Sequence, residues 1–244
     1  MDTTTPGTGR PAAFFDLDGT LLAANSARLW LRRERRHGRV TAVQTLRAVG
    51  FLAAYNLGVV DMVAAMREAL QTIRGEREET LREWTREWFE SEVVPRHEAP
   101  GARPVIEAHR ARGHALVLLT SSSPYESELA TRYFGLDDFR CTRYALDRDG
   151  RFTGELVLPV CYGEGKVRHA EACAAELGLD LDRSYFYSDS NTDLPMLRRV
   201  PHPRAVNPDL RLRWAARRRG WPVLDWSRAD APVPLAPGDA HPSR

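Results

Sequence analysis

The sequence predicts an α/β protein: a Rossmann-like core with a mostly parallel sheet, into which an all-helical segment is inserted. Short apolar runs at Phe14-Phe15, Leu116-Val117-Leu118-Leu119 and Tyr185-Phe186-Tyr187 run directly into polar groups, respectively Asp16 and Asp18, Thr120 to Ser123, and Asp189. Beyond about residue 100 such runs alternate with helical patterns, the order that builds a parallel sheet covered by helices on both faces. Residues 25 to about 92, by contrast, carry no convincing strand and show amphipathic spacing. Carboxylates and hydroxyls at the ends of parallel strands are where open α/β sheets place their sites.

The elements follow from local punctuation. Ala12 to Phe15 reads as the first strand. Leu29, Trp30 and Leu31, then Leu81, Trp84, Trp88 and Phe89, mark helices of the insert. The apolar stretch Val49 to Val60 is broken by Gly50, Asn56 and Gly58 and is too short to span a bilayer, so it reads as a helix end or a contacting loop. Pro95, Pro100 and Pro104 bracket the exit, and Pro104 can open a helix over Val105 to Arg112 because the first helical position needs no backbone donor. Ala115 to Leu119 is a strand. Ser123-Pro124-Tyr125-Glu126 reads as a capping box for a helix closed by Gly135, which sets Thr120 beside free backbone amides suited to an anion. Asp149-Gly150 makes a hairpin turn between Tyr144 and Phe152 rather than a calcium loop. A helix runs from Lys166 to Leu177 and stops at Gly178; a strand leads to Asp189, and Pro195 sits in the first turn of the next helix. Ala205-Val206, a helix from Asp209 to Arg219 stopped by Gly220, and Pro222-Val223-Leu224 complete the alternation. Boundaries fall at a core over 10–24 and 100–228, an insert over 25–99, and a Pro, Ala and Gly-rich tail over 229–244 expected to be disordered.

Composition bounds the function. The chain has 244 residues, 43% hydrophobic and 28% charged, enough for one large domain or a core plus an insert. A formal net charge of +2 argues against a dedicated nucleic-acid binder, and the basic run Arg32-Arg33-Glu34-Arg35-Arg36 reads as a solvated helix face. Cys141, Cys161 and Cys173 are odd in number and form no C-x-x-C pair, so neither a disulfide framework nor a zinc site is implied. Met1 to Gly7 shows no basic-then-apolar signal pattern, and no stable membrane insertion is expected; a reducing cytoplasm is the expected home.

Of the 35 Lys+Arg residues one is lysine, Lys166. An ammonium is a compact point charge where guanidinium is a broad planar fork, so a pocket built around one phosphoryl group can accept the first and reject the second.

Four motifs in order now stand on the page: Asp16-Leu17-Asp18-Gly19-Thr20, the hydroxyl Thr120 at a strand end with Ser121 as the competing choice, Lys166, and the pair Asp189 and Asp193. Over roughly Ala12 to Trp226 the chain resembles the haloacid dehalogenase superfamily, in the phosphoserine-phosphatase-like subfamily IB with a C1-type helical cap. The resemblance implies hydrolysis of a small phosphomonoester. A phosphate dianion repels nucleophiles, so the family uses magnesium held by carboxylates to neutralise charge. By similarity Asp16 is the nucleophile and a metal ligand, forming an aspartyl-phosphate. Asp18 is the general acid and base, with its backbone carbonyl on the metal. Asp189 is the second metal carboxylate, and Asp193 orients Lys166 or adds an outer contact to the metal. Thr120 and Lys166 hold phosphoryl oxygens, with Gly19, Thr20 and Ser121 beside the substrate. An acid at Asp18 favours phosphoester hydrolysis over dehalogenation, with phosphomutases sharing it.

The family's phosphoserine enzymes place a glutamate where this chain has Asn25, and their carboxylate-gripping arginine has only approximate counterparts in Arg67 and Arg74. The expected substrate is therefore a small phosphomonoester other than phosphoserine. Trp30, Trp84 and Trp88 read as core; were they a pocket wall, a phosphatidylglycerophosphate-like lipid phosphate would be the substrate. A non-catalytic phospho-ligand binder would have lost a motif residue, and none is missing.

Overall fold

The computed structural model describes residues 9–38, 62–230, 232, 233 and 235. Along the chain run β1 (Arg10–Phe15), α1 (Ser26–Arg36), α2 (Met62–Leu70), α3 (Glu78–Trp88), α4 (Val94–His97), α5 (Ala102–Ala111), β2 (Ala115–Leu119) and α6 (Pro124–Phe134). Then follow β3 (Asp138–Arg140), β4 (Arg143–Leu146), β5 (Phe152–Val157), α7 (Glu164–Leu177), β6 (Leu179–Ser188), α8 (Leu194–Arg199), β7 (His202–Val206), α9 (Leu210–Arg219) and β8 (Val223–Leu224). Six strands form a sheet in the order β3-β2-β1-β6-β7-β8, parallel at every pairing, and β4 and β5 form a separate antiparallel ribbon.

The strands are apolar on both faces because both faces are covered. Ala13 and Phe15 of β1, Leu116 and Leu118 of β2, and Tyr185 and Tyr187 of β6 join one core with Val105 and Ile106 of α5 and Phe134 of α6. Their alternates, Phe14, Val117 and Phe186, face the other core with Cys173 of α7, Met196 and Leu197 of α8, and Leu212 of α9. The order reverses at β1, from which the chain reaches β2 on one side and β6 on the other. Open sheets bind ligands outside the carboxyl ends of strands at such a point.

Between β1 and β2 every described element is helical. Trp88, Phe89 and Val93 descend into the first core, and Trp30 packs edge-on against Trp88 with centroids 5.1 Å apart. Trp84 joins Leu81, Tyr125 and Phe152 in a smaller cluster. The tryptophans are thus committed to packing, as the core reading expected. The run Arg32 to Arg36 differs from expectation at one position: Arg33 is buried and paired with Glu34 at 3.1 Å and Glu87 at 2.9 Å, so it stitches α1 to α3 while Arg32, Arg35 and Arg36 stay exposed.

Other departures are local. α5 begins at Ala102, earlier than Pro104 suggested, because Ala102 N–H donates to Ala99 O and starts the turn without a side-chain cap. The capping box is half present: Ser123 Oγ accepts from Glu126 N at 3.2 Å, and Gly135 closes α6 in the left-handed region, but the Glu126 side chain turns elsewhere. The Asp-Gly hairpin forms as expected. The stretch Val49 to Val60 and most of the tail lie outside the described residues.

Candidate active site

Three strand ends converge. Asp16 follows β1 and donates its N–H to Tyr187 O of β6 at 2.9 Å; Asp189 follows β6; Thr120 follows β2. The loop from Leu17 to Ala24 folds back through Leu22 N–H to Leu17 O at 2.9 Å. It is stitched to the exit of the helical segment by Ala23 N–H to His97 O and Ala99 N–H to Leu21 O. Both connections of that segment are therefore held side by side next to Asp16 and Asp18.

Lys166 reaches this cluster from the first turn of α7. Gly165 lets α7 start where it does, since a Cβ there would stand 1.9 Å from Val160 O. The ammonium is buried and donates to Asp16 Oδ1 at 2.9 Å and to Asp193 Oδ2 at 2.6 Å. Burial opposes its charge, but Asp16 and Asp193 outweigh that and hold its pKa above the ordinary lysine value. Asp193 Oδ2 also accepts from Ser188 Oγ at 2.7 Å. Asp209 pins the loop between, its N–H donating to Asp189 O and its carboxylate accepting from Asn191 N–H, both at 2.8 Å.

The Asp18 carboxylate is held by the head of α1. Its two oxygens accept from Ser26 N–H at 2.8 Å and Ser26 Oγ at 3.0 Å, at the head of α1. Gly19 is needed where it stands: at φ +72° its Cα faces Asp189, and a Cβ would lie 2.1 Å from Asp189 Oδ2. Thr20 is fully buried with no partner for its hydroxyl, Thr120 is buried with Oγ1 accepting from Ser122 N–H at 3.2 Å, and Ser121 is half-buried. Asn25 is exposed and spends its side chain capping α1, accepting from Arg28 N–H at 3.1 Å. Arg67 pairs with Glu155 at 2.9 Å on the ribbon, and Arg74 is exposed.

Burial pushes the carboxyls up. Asp16 rises to about 7, burial and Asp193 outweighing the pull of Lys166; Asp189 rises to about 8, through burial and then the charges of Asp16 and Asp193. Asp18 rises to about 6 by burial, held back by its bonds from Ser26.

The sequence expectation puts Asp16, Asp189 and the Asp18 carbonyl on the ion, with Asp193 orienting Lys166 or adding an outer contact, and the bond from Lys166 to Asp193 agrees with the orienting role. No group of three His, Cys, Asp or Glu side chains stands at metal-binding distance among the described residues. The reason is in the hydrogen bonds: Lys166 occupies Asp193, and Ser26 occupies both oxygens of Asp18. Asp16, Asp189 and backbone oxygen remain.

Three residues of this cluster escaped the sequence reading: Ser26, Ser188 and Glu126. Ser188 adjoins Asp189 and Ser26 adjoins Asn25, but a serine beside a motif looks like any turn residue. Glu126 was assigned to a cap. It is instead buried, its carboxyl raised to about 8 by burial and the neighbouring charge of Asp18.

The haloacid dehalogenase-like hydrolase family model matches residues 13–198, from β1 through Lys166 to beyond Asp193. The chain belongs to that family. It is 33% identical over 218 residues to a histidinol-phosphatase of Neisseria meningitidis, covering 88% of this chain and 98% of that one. It is 36% identical over 247 residues to the phosphoserine phosphatase SerB1 of Mycobacterium tuberculosis, covering 94% and 77%. A solved protein of unknown function from Bordetella pertussis matches with a TM-score of 0.81 at 32% identity, over 90% of this chain and 100% of that one. A phosphoserine phosphatase solved as a phospho-aspartyl intermediate analogue shares the fold, with a TM-score of 0.65 at 16% identity over 91% and 95%. This haloacid dehalogenase-like protein is a phosphoric monoester hydrolase. No helix among its described residues is long and apolar enough to cross a membrane.

Proposed function

We propose that the protein is a magnesium-dependent phosphatase that hydrolyses small phosphomonoesters through an aspartyl-phosphate, with the helical segment 25–99 acting as a cap over the core 10–24 and 100–228. The observation that carries this reading is the buried Lys166 ammonium held between Asp16 and Asp193 at the carboxyl edge of the sheet. A fixed positive charge there can accompany a phosphoryl group from ground state to transition state.

Lys166 takes Oδ1 of Asp16, which leaves Oδ2 to attack phosphorus. As the Asp16 O–P bond forms, the bond to the leaving alkoxide breaks and Asp18 supplies the alkoxide with a proton. Asp18, held by Ser26, then takes a proton from the water that attacks the aspartyl-phosphate, releasing inorganic phosphate and restoring both carboxyls. Thr120 or Ser121 and the free amides at the head of α6 receive phosphoryl oxygens. Gly19 and Thr20 line the floor. Asp16 is buried and Asp189 half-buried, the charge of Asp16 raises the pKa of Asp189, and hard oxygen donors of this kind suit a divalent cation. Asp16, Asp189 and the Asp18 carbonyl would hold magnesium, which when bound neutralises charge on the phosphoryl oxygens. Asp193 supports the site by orienting Lys166.

Phosphate release measured with magnesium across sugar, amino-acid, amino-alcohol, nucleotide and lipid phosphates tests the reading, with Asp16→Asn and EDTA as controls. The relative named histidinol-phosphatase makes amino-alcohol phosphates the first to assay. Turnover lost in both controls is expected; turnover that survives Asp16→Asn refutes the mechanism.

A further inference from the structure

Away from the catalytic cluster, α1 and α4 enclose a cleft of about 680 Å³. Arg32, Arg35 and Arg36 line it from α1, Arg96 and His97 line it from α4, and Leu29 and Trp88 add apolar surface. None of Asp16, Asp18, Thr120, Lys166 or Asp189 reaches it. A volume of this size falls within the range of small-molecule sites.

The charge of the cleft is one-sided. Four guanidiniums line it against one carboxylate, that of Glu92, which already pairs with Arg36 and lies 4.0 Å from Arg33. Arg32, Arg35 and Arg96 are exposed and have no ion-pair partner among the described residues. A guanidinium does not lose its proton in a protein, so these charges are permanent. Arg32 stands three residues before Arg35 and four before Arg36, so like charges share one side of α1 and repel. The dipole of α1 favours the cations of its last turn, Arg35 and Arg36, but gives no reason for Arg32, or for Arg96 on another helix, to join them.

An anion between α1 and α4 offsets that repulsion, and guanidinium forks match phosphate oxygens through paired N–H donors. Three unpaired cations from two elements suit an anion of several charges more than a single phosphate, and adjacent phosphoryl groups carry those charges within the span of a helical turn. The cleft holds more than phosphoryl groups alone would fill, and Leu29 with Trp88 offers apolar surface to an organic body.

We propose that this cleft is a second ligand site, separate from the catalytic centre, that takes a nucleoside di- or triphosphate, with the phosphoryl groups among Arg32, Arg35 and Arg96 and the nucleoside over Leu29. The site adjoins both connections of the helical segment. His97 O accepts from Ala23 N–H at 2.7 Å, and α1 begins at Ser26, which holds Asp18, so a ligand here clamps α1 to α4 beside the catalytic loop. The proposal goes beyond the phosphatase reading and does not depend on it.

The test is isothermal titration calorimetry of the full chain with ATP, ADP, AMP, tripolyphosphate and inorganic phosphate, in EDTA to remove binding through a metal and in about 0.15 M salt to screen weak surface attraction. Wild-type protein is expected to bind ATP and ADP with a Kd below about 100 μM, tripolyphosphate at least about threefold more weakly than ATP, and AMP and inorganic phosphate at least about tenfold more weakly. Lys166→Met, which removes the cation of the catalytic centre, is expected to keep ATP binding within about twofold, and the double variant Arg32→Gln/Arg96→Gln to weaken it at least about tenfold. If the double variant does not fold by circular dichroism, Arg35→Gln decides, with a loss of at least about threefold expected. No ATP binding up to about 5 mM overturns the proposal. ATP binding that Lys166→Met abolishes and the arginine substitutions spare also overturns it, because the ligand then sits in the catalytic centre. Inorganic phosphate bound as tightly as ATP means an adventitious ion only, and tripolyphosphate bound as tightly as ATP overturns the nucleoside assignment. Retention on phosphatidylserine vesicles without ATP binding gives this face to a membrane surface and overturns the site. Loss of every phosphatase activity leaves the test intact, because binding is read without turnover.

Discussion

Replacing Gly19 by alanine adds one methyl group and should disable the site. A Cβ at Gly19 would lie 2.1 Å from Asp189 Oδ2 and 2.4 Å from its Cγ. Ordinary contact begins near 3.4 Å, so the carboxylate oxygen must retreat by roughly 1.3 Å. A misplacement of about 1 Å in a reacting constellation costs on the order of 100-fold in rate. The backbone adds a second effect, because φ +72° is left-handed and costs a residue with a Cβ about 1–2 kcal/mol. For a chain of this size that is a fall in Tm of roughly 2–8 °C. Phosphate release against magnesium concentration, with thermal melting in parallel, separates the two. The expected result is about a 100-fold lower kcat/KM and a raised magnesium requirement in a protein that still folds. A Gly19→Ala protein within about threefold of wild type in both quantities would refute the argument that Asp189 must lie against that Cα.

Lys166→Arg and Lys166→Met should both lose activity by on the order of 1,000-fold, arginine because its fork does not fit between Asp16 and Asp193, and recovery in the arginine variant would show that charge alone suffices. Ser188→Ala removes the hydroxyl that steadies Asp193 behind Lys166, and a fall of about tenfold in kcat is expected; unchanged kcat would mean the lysine alone fixes that carboxylate. In EDTA, Tm should decline as pH rises. Asp18, Asp16 and Asp189 stand near 6, 7 and 8 in the fold, above the unfolded value near 4, so their stabilising contribution is complete below about pH 4 and is lost as pH passes through those values. Magnesium should reverse the decline, and an identical pH profile with and without magnesium would contradict the assigned ligands.

Much of the fold was legible because its signals are local. Strand, cap and stop residues such as Phe14-Phe15, Ser123, Gly135 and Gly178 act within a turn or two of themselves, and the structure keeps each where expected. The start of α5 was missed because a backbone turn from Ala99, with no side-chain signature, begins it. Arg33 was misread because the partner that draws it inward, Glu87, lies on another helix. Glu126 was misread for the opposite reason: a local rule fitted it, and a distant cluster claimed its side chain.

The sequence by itself determined the alternation that makes a two-faced parallel sheet and the identity of the polar groups at its strand ends. The lone lysine was also visible there, because composition and short-range pattern are properties of the chain before it folds. Only the tertiary structure decided which carboxylates share a charge. Lys166 lies 150 residues from Asp16 and 27 from Asp193, and their contacts make one buried cation the shared partner of both carboxylates. Ser26, eight residues past Asp18, claims that carboxyl's two oxygens, and Glu126 keeps one idle. Partnerships among buried charges depend on distances of a few ångströms, set by packing from several elements at once, and no spacing along the chain encodes them.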